Sequence, residues 1–323
     1  ERIETGDGVA IDLRHLLPSG AIDSALPPVV LVHGIATNHR HLDMQSDLSM
    51  ARFLASSGRD VWLLTLRSGR HDRSCRESRL ASFSAMVHHD LPAAIAAVRE
   101  RTGSNHIDYV GYSMGGMLMY AALGWTVEAD SIRRLAFVAA PTKVRPPLRV
   151  LRSLWMGVYR CVPTMFYRMP ARLFADLVAG FDTPLHQISY QPGNVTPAVV
   201  GSLMVNGVED VPAALGREMT RWALSDGDIR VDGRLALANL EGLGHTVCFM
   251  VGPLDRLAPP RSVRYAYEAW GKAVVEVDKR WLMIDRDHGA SADYGHADLV
   301  MGKAVARDVF RPLAEFLAEH NGQ

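Results

Sequence analysis

The chain has 323 residues, of which 48% are hydrophobic and 22% are charged, so it carries enough apolar material for a sizeable globular core. Its 35 basic and 35 acidic residues cancel to a formal net charge of zero, which argues against a general attraction to nucleic acid or to a membrane surface. Three widely spaced cysteines form no C-x-x-C pair and predict neither a cysteine metal site nor a disulfide framework.

Two observations concern location. No apolar run is long enough to span a bilayer, so we expect no transmembrane segment. The chain begins at Glu1 rather than at methionine, which we interpret as a trimmed end that hides any leader. The sequence therefore leaves the compartment unknown, and of the possible compartments we favour the cytoplasm.

Short apolar runs alternate with helical patterns along most of the chain. The first segment, residues 1–20, has the pattern of an antiparallel hairpin that leads into a sheet. Unbroken apolar runs bounded by turn residues then predict strands that are buried on both faces. These runs are residues 27–34, 60–67, 106–113, 134–141, 245–252 and 279–286. Helical patterns such as residues 88–103 and 261–273 lie between them, and the alternation predicts a doubly wound, mostly parallel α/β sheet.

One long segment interrupts this alternation. Residues 142–244 contain no convincing buried strand, and proline and glycine punctuate helical patterns with bulky apolar residues. About a hundred residues without a sheet of their own are too many for a loop. We therefore predict an inserted, mainly helical cap on a core domain formed by residues 1–141 and 245–323.

The cap contains a basic stretch with two possible explanations. Residues 143–175 carry one lysine and six arginines and no acidic residue. The arginines could lay their aliphatic stems over apolar surface while their charged ends reach water. Alternatively, the stretch could dock an anionic partner, such as a lipid headgroup or a phosphate-bearing acyl carrier.

A candidate nucleophile lies in the middle of the chain. The pentapeptide Gly111-Tyr112-Ser113-Met114-Gly115 fits the pattern G-x-S-x-G, with a predicted strand before it and a helical pattern after it. In that context a serine projects from a sharp turn, and the glycines prevent clashes where strand and helix meet. A glycine-rich packing turn is the structural alternative, but the flanking strand and helix favour Ser113 as a nucleophile.

A serine hydroxyl needs a base, and the base needs a carboxylate to orient it. The chain order expected after such a turn is Ser, then Asp or Glu, then His. Asp255 follows the predicted strand at 245–252 in a proline-rich loop, and it is the only carboxylate directly after that strand. Aspartate also favours ordinary turns, but we predict that Asp255 is the orienting acid.

Two histidines after the last predicted strand compete for the role of base. His296 begins a helical pattern and can turn back towards the serine. His288 lies closer to the end of the strand and is expected to form hydrogen bonds within its loop. We therefore favour His296. The remaining histidines, His39 and His41 among them, are expected to be structural or exposed.

Acyl transfer also creates an oxyanion, which needs about two N–H donors aimed in advance. The backbone N–H of Met114, directly after the serine, is one candidate. The other is the N–H of Ile35, in the loop that follows His33 and Gly34. A simple strand end is the alternative explanation of the His33-Gly34 pair.

The segments VHG, GYSMGG, VGPLDRLAPP and GHADLV follow the order found in α/β-hydrolases, and the chain outside the predicted cap resembles that family. It is most similar to a capped branch that includes acid lipases and polyhydroxyalkanoate synthase-like proteins. Two features depart from this branch: LRSGRHDRS replaces an Arg-Gly-Asn-like turn of acid lipases, and serine stands where the synthases use cysteine. The resemblance implies ester or related acyl chemistry by Ser113, His296 and Asp255, with no metal and no cofactor.

Three functions are consistent with these residues. The leading hypothesis is a serine hydrolase that cleaves an ester with an apolar acyl or alcohol part, with residues 154–159 and 164–169 of the cap forming the lipophilic side of its pocket. The second is an acyltransferase or thioesterase that acts on acyl groups bound to CoA or to a carrier, which the basic stretch would dock. The third is a non-catalytic binding protein, for which a broken set of catalytic residues would be expected.

Overall fold

The six apolar runs form strands of a single sheet in the computed structural model, which describes residues 1–18, 20, 22, 23, 25–144, 164–183 and 186–319. The strands in these residues are β1 (Arg2–Glu4), β2 (Ala10–Leu16), β3 (Val29–Val32), β4 (Val61–Thr65), β5 (Ile107–Tyr112), β6 (Ile132–Val138), β7 (Thr164–Met165), β8 (Val211–Pro212), β9 (Arg230–Val231), β10 (Arg234–Leu235), β11 (Thr246–Val251) and β12 (Lys279–Met283).

Helices fill most of the chain between these strands. They are α1 (Met50–Ser56), α2 (Cys75–Leu80), α3 (Phe83–Ala85), α4 (Leu91–Thr102), α5 (Met114–Ala122), α6 (Arg168–Leu173), α7 (Ala175–Gly180), α8 (Pro197–Ser202), α9 (Ala213–Leu224), α10 (Ala236–Asn239), α11 (Pro260–Ala269), α12 (Asp298–Met301) and α13 (Arg311–Ala318). Single π turns precede α4 and α13 and follow α8. No helix of the described residues is both long and apolar enough to cross a bilayer.

The sheet has eight strands in the order β1-β2-β4-β3-β5-β6-β11-β12. The six strands from β4 to β12 run parallel to their neighbours, and β1 and β2 form an antiparallel hairpin at the β4 edge. Every residue of β3 and β5 is buried, as expected for central strands of a sheet covered on both faces. The predicted parallel sheet and the predicted hairpin are both confirmed.

The register places the carboxyl ends of the parallel strands at one edge of the sheet. Val32 pairs with Gly111, Tyr112 pairs with Val138, and Val138 pairs with Met250. The loops that follow β3, β5 and β11 therefore leave the sheet side by side, which is where open parallel sheets bind their ligands.

The helix predicted at residues 261–273 is shorter than expected, because α11 ends at Ala269. Trp270 leaves the helix with extended angles, buries its whole indole ring and donates its Nε1–H to the carbonyl of His245 (3.0 Å). The gain from burying a large aromatic ring outweighs the local helical pattern.

The described part of the segment predicted as a cap is mostly helical, with the four two-residue strands β7 to β10. Tyr190, Val199 and Leu203 form a small apolar cluster with Ala297 and Met301 from the far end of the chain. Side chains of α9 and of the residues that follow it belong instead to the main core. The division of the chain at residues 141 and 245 stays a prediction.

A buried ion cluster joins the opposite end of the sheet to the C-terminal helix. The carboxylate of Asp108, at the start of β5, accepts hydrogen bonds from Arg59 Nη1 (2.7 Å) and from Arg133 Nε (2.9 Å) and Nη2 (2.6 Å). Asp108 and Arg59 are almost completely buried, and both arginines also donate to the carbonyl of Leu317. Removing one partner would leave a buried charge without compensation.

We expect Asp108→Asn to lower the free energy of unfolding by about 3–5 kcal/mol, because Arg59 would remain buried without its counter-ion. Urea denaturation measures this. The matched control is Glu128→Gln, which breaks an exposed pair with Arg99 and should cost less than about 1 kcal/mol. Equal losses in the two variants would contradict the special role of the buried cluster.

Candidate active site

Ser113 occupies a strained turn between β5 and α5. Its backbone angles, φ +51° and ψ −116°, are rare for a residue with a side chain. Its N–H donates to the carbonyl of Val138 (2.9 Å), which ties the turn to the neighbouring strand. Glycine is required at position 111, because a Cβ there would lie 2.5 Å from the backbone nitrogen of Gly116. The packing of strand against helix therefore fixes the direction of the Ser113 side chain.

Ser113, His296 and Asp255 form a chain of hydrogen bonds. Ser113 Oγ lies 3.0 Å from His296 Nε2, and His296 Nδ1 lies 2.8 Å from Asp255 Oδ2. A carboxylate only accepts hydrogen bonds, so Nδ1 carries the proton and donates a hydrogen bond to Asp255. In the neutral imidazole this leaves Nε2 as the acceptor for the serine hydroxyl. The structure thus brings together the three residues that the sequence analysis selected, and all three are more than nine-tenths buried.

The loop after β11 holds Asp255 rigidly. Its Oδ1 accepts the backbone N–H groups of Leu257 (2.8 Å) and Ala258 (2.7 Å), which leaves Oδ2 for the histidine. The loop also packs tightly against the loop that carries the histidine, because a Cβ on Gly252 would overlap the carbonyl of Tyr294. Asp255 and His296 are therefore positioned by direct contact between their loops.

A second carboxylate, Asp298, positions the histidine loop from behind. Its Oδ2 accepts the N–H of Gly295 (2.8 Å), directly before His296, and the side-chain amide of Asn194 (2.7 Å). Asn194 also donates to the carbonyl of Asp293 (2.7 Å). Burial raises the pKa of Asp298 above its ordinary value. Neither Asp298 nor Asn194 was predicted from the sequence to have a role. The position of Asp298, two residues after His296, could have indicated its role from the sequence. No local pattern points to Asn194.

The competing histidine after β12 lies apart from Ser113. His288 is mostly exposed, and its Nδ1 lies 2.6 Å from Asp285 Oδ1 in its own loop. It is not among the residues that line the cavity beside Ser113. Nowhere in the described residues do three His, Cys, Asp or Glu side chains gather as a metal site requires. Of the two competing histidines, only His296 is within hydrogen-bond distance of the serine.

The loop after β3 lies against the serine. A Cβ on Gly34 would be 3.2 Å from Ser113 Cβ, and Ile35 and Ala36 line the same cavity as Ser113. Ala36 has a positive φ of 57°, a second strained residue at this edge of the sheet. The N–H of Met114 is the first of α5, where N–H groups have no acceptor within the helix. The use of the Ile35 and Met114 N–H groups as an oxyanion hole stays a prediction.

His33 fixes the shape of this loop. Its Nδ1–H donates to the carbonyl of Gly34 (2.8 Å), and its Nε2 accepts the N–H of Leu66 from the segment after β4 (3.1 Å). The ring is completely buried, and burial lowers the pKa of His33 to about 4. A neutral ring has the one donor and one acceptor that these contacts need. His33 therefore links the Gly34–Ile35 turn to the neighbouring strand.

A cavity of about 570 Å³ opens onto Ser113 and His296. Its lining is largely apolar, and much of it comes from the segment predicted as a cap: Tyr167, Pro170, Ala171, Phe174, Val178, Leu203, Met204 and Val208. Of the two stretches predicted to form the lipophilic side, residues 164–169 contribute Tyr167. Residues 154–159 lie outside the described residues.

The basic stretch is engaged within the protein wherever it is described. Lys143 pairs with Asp228, Arg168 Nε lies 3.5 Å from Glu209, and Arg172 donates to a backbone carbonyl. The other members of the stretch, the arginines at 145, 149, 152 and 160, lie outside the described residues. Docking of an acyl carrier or a lipid surface stays a prediction, and the described contacts favour the structural explanation of these cations.

Known proteins resemble the chain over about half of its length. A "Tear acid lipase-like protein" from Mesocricetus auratus is 30% identical over 174 residues, which cover 50% of this chain and 43% of that protein. "Lipase member K" from Homo sapiens is 30% identical over 167 residues, covering 47% of this chain and 41% of that protein. "Lysosomal acid lipase/cholesteryl ester hydrolase" from Macaca fascicularis is 28% identical over 151 residues, with coverages of 43% and 38%. The similarity thus spans less than half the length of each relative.

Solved structures resemble nearly the whole chain in fold. An esterase from Exiguobacterium antarcticum has a TM-score of 0.61 at 16% identity and is covered over 99% of its chain and 98% of this one. An enol-lactonase from Burkholderia xenovorans LB400 has a TM-score of 0.61 at 15% identity, with coverages of 100% and 99%. At such low identity these similarities concern the fold alone.

Residues 27–210 match a family model described as alpha/beta hydrolase fold. The matched range includes β3, β5 and the turn at Ser113. The eight-stranded, mostly parallel sheet with flanking helices shows the same fold in the rest of the core. The predicted fold class and the predicted relation to acid lipases are both confirmed. The chain belongs to the α/β-hydrolase fold family.

Proposed function

We propose that the protein is a serine hydrolase that cleaves carboxylic esters with an apolar acyl or alcohol part. The observation that carries this proposal is the hydrogen-bonded series from Asp255 through His296 to Ser113, which opens onto a largely apolar cavity. A serine hydroxyl alone is a weak nucleophile at neutral pH, and an oriented imidazole removes that limit. Relatives named as lipases and family membership support the same reaction class.

In the first half of the reaction, Ser113 Oγ attacks the ester carbonyl carbon while its proton passes to His296 Nε2. Asp255 accepts the Nδ1–H throughout and stabilises the imidazolium that forms. The carbonyl oxygen becomes an oxyanion that accepts hydrogen bonds from the N–H groups of Ile35 and Met114. When the tetrahedral intermediate collapses, the Nε2 proton passes to the departing alcohol and an acyl-serine ester remains.

In the second half, water replaces the alcohol. His296 takes a proton from the water as the oxygen attacks the acyl carbon, and the same N–H groups stabilise the second oxyanion. Collapse of this intermediate breaks the acyl–Oγ bond, and the proton on Nε2 returns to Ser113. The products are the carboxylic acid and the free enzyme.

The cavity supports a small, mainly apolar substrate. Its volume of about 570 Å³ is typical of ligand pockets, which bury most of the surface of the molecule they bind. The described lining contains no Lys, Arg, Asp or Glu side chain, so a charge on the substrate would be desolvated there without compensation. Neutral esters with hydrocarbon parts fit these conditions.

Hydrolysis is favoured over the two rival functions. Acyl transfer from a carrier was motivated by the basic stretch, whose described cations form ion pairs or hydrogen bonds within the protein. A non-catalytic binding protein would not need the strained serine turn or an aligned histidine and carboxylate, both of which cost stability. The proposal therefore assigns these costly features to catalysis.

The first test replaces the three residues one at a time and follows hydrolysis of 4-nitrophenyl butanoate. We expect Ser113→Ala and His296→Gln to lower kcat by about a million-fold, and Asp255→Asn by about ten thousand-fold, as in other enzymes with this arrangement. His288→Gln serves as the matched control and should retain wild-type activity. A fluorophosphonate should label the wild type at Ser113. No turnover by the wild type together with no labelling would refute the proposal.

The second test concerns Asp298, a positioning residue that does not reach the substrate. Its loss would free the N–H before His296, and a small displacement of a catalytic group costs up to about a hundred-fold in rate. We expect Asp298→Ala to lower kcat by about 10- to 100-fold with little change in KM, and Asp298→Asn, which can still accept from Gly295, to recover part of the loss. Asp287→Asn, an exposed acid of the same loop, is the control. A rise in KM with unchanged kcat would contradict this role.

The third test concerns the pH dependence of the free energy of unfolding that arises from His41, a histidine that lines the cavity. Burial, with smaller effects from His296 and His33, lowers the pKa of His41 to about 3 from an ordinary 6.5. The unfolded chain binds this proton at a higher pH than the folded protein does. The stability that depends on a neutral His41 is therefore fully present above pH 6.5 and is lost as the pH falls towards 3. Between pH 6 and 4.5, wild type should lose up to about 1.4 kcal/mol per pH unit relative to His41→Phe.

Urea denaturation at several pH values measures this difference. His41→Gln, which also cannot titrate, must give the same pH dependence as His41→Phe although its side chain packs differently. Parallel curves for wild type and both variants would show that the buried imidazole does not resist protonation.

A further inference from the structure

His41 is a buried imidazole without a hydrogen-bond partner. Its side chain is 3% exposed, and neither ring nitrogen has a partner among the described residues. It lines the same cavity as Ser113 and His296. Buried polar atoms are nearly always paired, so an unpaired ring at a cavity wall is available to bind a polar group of a molecule in that cavity. The mechanism above leaves His41 without a role.

The imidazole lies close to the reacting groups. The Tyr112 ring contacts both histidines, with its centroid 5.1 Å from that of His41 in an edge-to-face arrangement and 5.2 Å from that of His296. His41 belongs to a 3-10 turn, His39–Leu42, that follows the Gly34–Ile35 loop. A molecule that fills the cavity beside Ser113 therefore also meets His41.

Hydrogen bonds hold the turn that carries His41 in place. The side-chain amide of Asn38, the residue that caps the turn, donates to the carbonyl of Asn206 (3.0 Å) and to the carboxylate of Glu209 (2.8 Å). The backbone N–H of His41 donates to the carbonyl of Asn38 (3.1 Å). The backbone that carries the ring is thus held in place by the protein before any ligand binds, which reduces the entropy lost on binding.

The neighbouring histidine of the same turn is different. His39 Nδ1 lies 2.7 Å from the hydroxyl of Thr65, and its Nε2 lies 3.2 Å from Arg14. Both of its nitrogens are thus occupied within the protein. The contrast makes His39 a matched control for His41, because both residues share the turn and only His41 reaches the cavity.

The chemistry of a group that could bind His41 follows from the ring and the cavity. A neutral imidazole offers one N–H donor and one acceptor nitrogen, and His41 has both free. A charged group on the ligand would find no Lys, Arg, Asp or Glu in the described lining. A hydroxyl is neutral and can either donate or accept, so it satisfies the ring in whichever tautomer it adopts.

We propose that His41 is a substrate-binding residue that forms a hydrogen bond with a hydroxyl group carried by the ester close to its scissile carbonyl. This inference rests on the proposed ester hydrolysis and specifies its substrate class as hydroxyl-bearing esters. The hydroxyl can come from the acyl part, as in a 3-hydroxyacyl ester, or from the alcohol part, as in a glycol monoester. The hydroxyl forms the same hydrogen bond with His41 in both cases, and two pairs of esters distinguish the two sources.

The test measures binding in the Ser113→Ala variant, which holds esters without cleaving them. The acyl pair is 4-nitrophenyl 3-hydroxybutanoate and its 3-methylbutanoate analogue; the alcohol pair is 2-hydroxyethyl octanoate and propyl octanoate. Each pair exchanges a hydroxyl for a methyl group of similar size. We expect the hydroxyl member of at least one pair to bind about tenfold more tightly, as expected for one buried hydrogen bond. The pair that shows the preference identifies the part of the ester that carries the hydroxyl.

Three further variants, each made with Ser113→Ala, assign the preference to His41. His41→Phe keeps an aromatic ring against Tyr112 and should abolish the preference, whereas His41→Gln, which can still form a hydrogen bond, should restore part of it. His39→Gln should leave the preference at its original value. The proposal is overturned if none of the four esters binds, if neither pair shows a preference, or if the preference survives His41→Phe.

Failure of the proposed hydrolysis has a separate signature. It would show as an absence of turnover of all four esters by the wild type, whatever their affinities for the Ser113→Ala variant. A hydroxyl preference in binding that depends on His41 would support the subsite even then. Turnover without any preference would support hydrolysis and overturn the role of His41.

Discussion

The parallel register of the central strands is the constraint on which the rest of the structure depends. Because β3, β5 and β11 end at the same edge, the loops that carry Gly34, Ser113 and Asp255 emerge next to one another. Buried backbone hydrogen bonds and apolar packing hold this register, since a slip would turn buried side chains to the wrong face. The strained conformation of Ser113 persists because the strand, the helix and Val138 together leave it no alternative.

The chain around residues 190–209 stabilises this edge from above. Asn194 contacts the carboxylate that holds the histidine loop, and residues 206–209 bind the loop after β3 through Asn38 and the carbonyl of Ala36. The same segment supplies much of the apolar wall of the cavity. The part of the chain that shapes the substrate pocket is therefore also a support for the groups that perform the proposed chemistry. A change in this segment can affect specificity and rate together.

Much of this arrangement was predictable from local patterns. Unbroken apolar runs located the six parallel strands, and the glycines around Ser113 indicated a sharp turn between strand and helix. Chain order indicated Asp255 and the two competing histidines, because each comes after a buried strand, and the helical pattern that begins at His296 favoured that residue. Local patterns failed where long-range contacts determine the structure. The helix α11 ends at Ala269 because the Trp270 ring packs in the core. Asn194 contacts Asp298 from about a hundred residues away in the sequence.

The sequence by itself determined the sheet, the turn at Ser113 and the candidates for acid and base, because apolar periodicity and turn residues act over a few positions. Only the tertiary structure decided which of His288 and His296 lies beside Ser113, since both follow the same strand and their distances to the serine depend on how the loop folds back. It also separated His39 from His41. Two histidines of one short turn have the same local sequence signal, and the packing of that turn directs one to Thr65 and the other to the cavity.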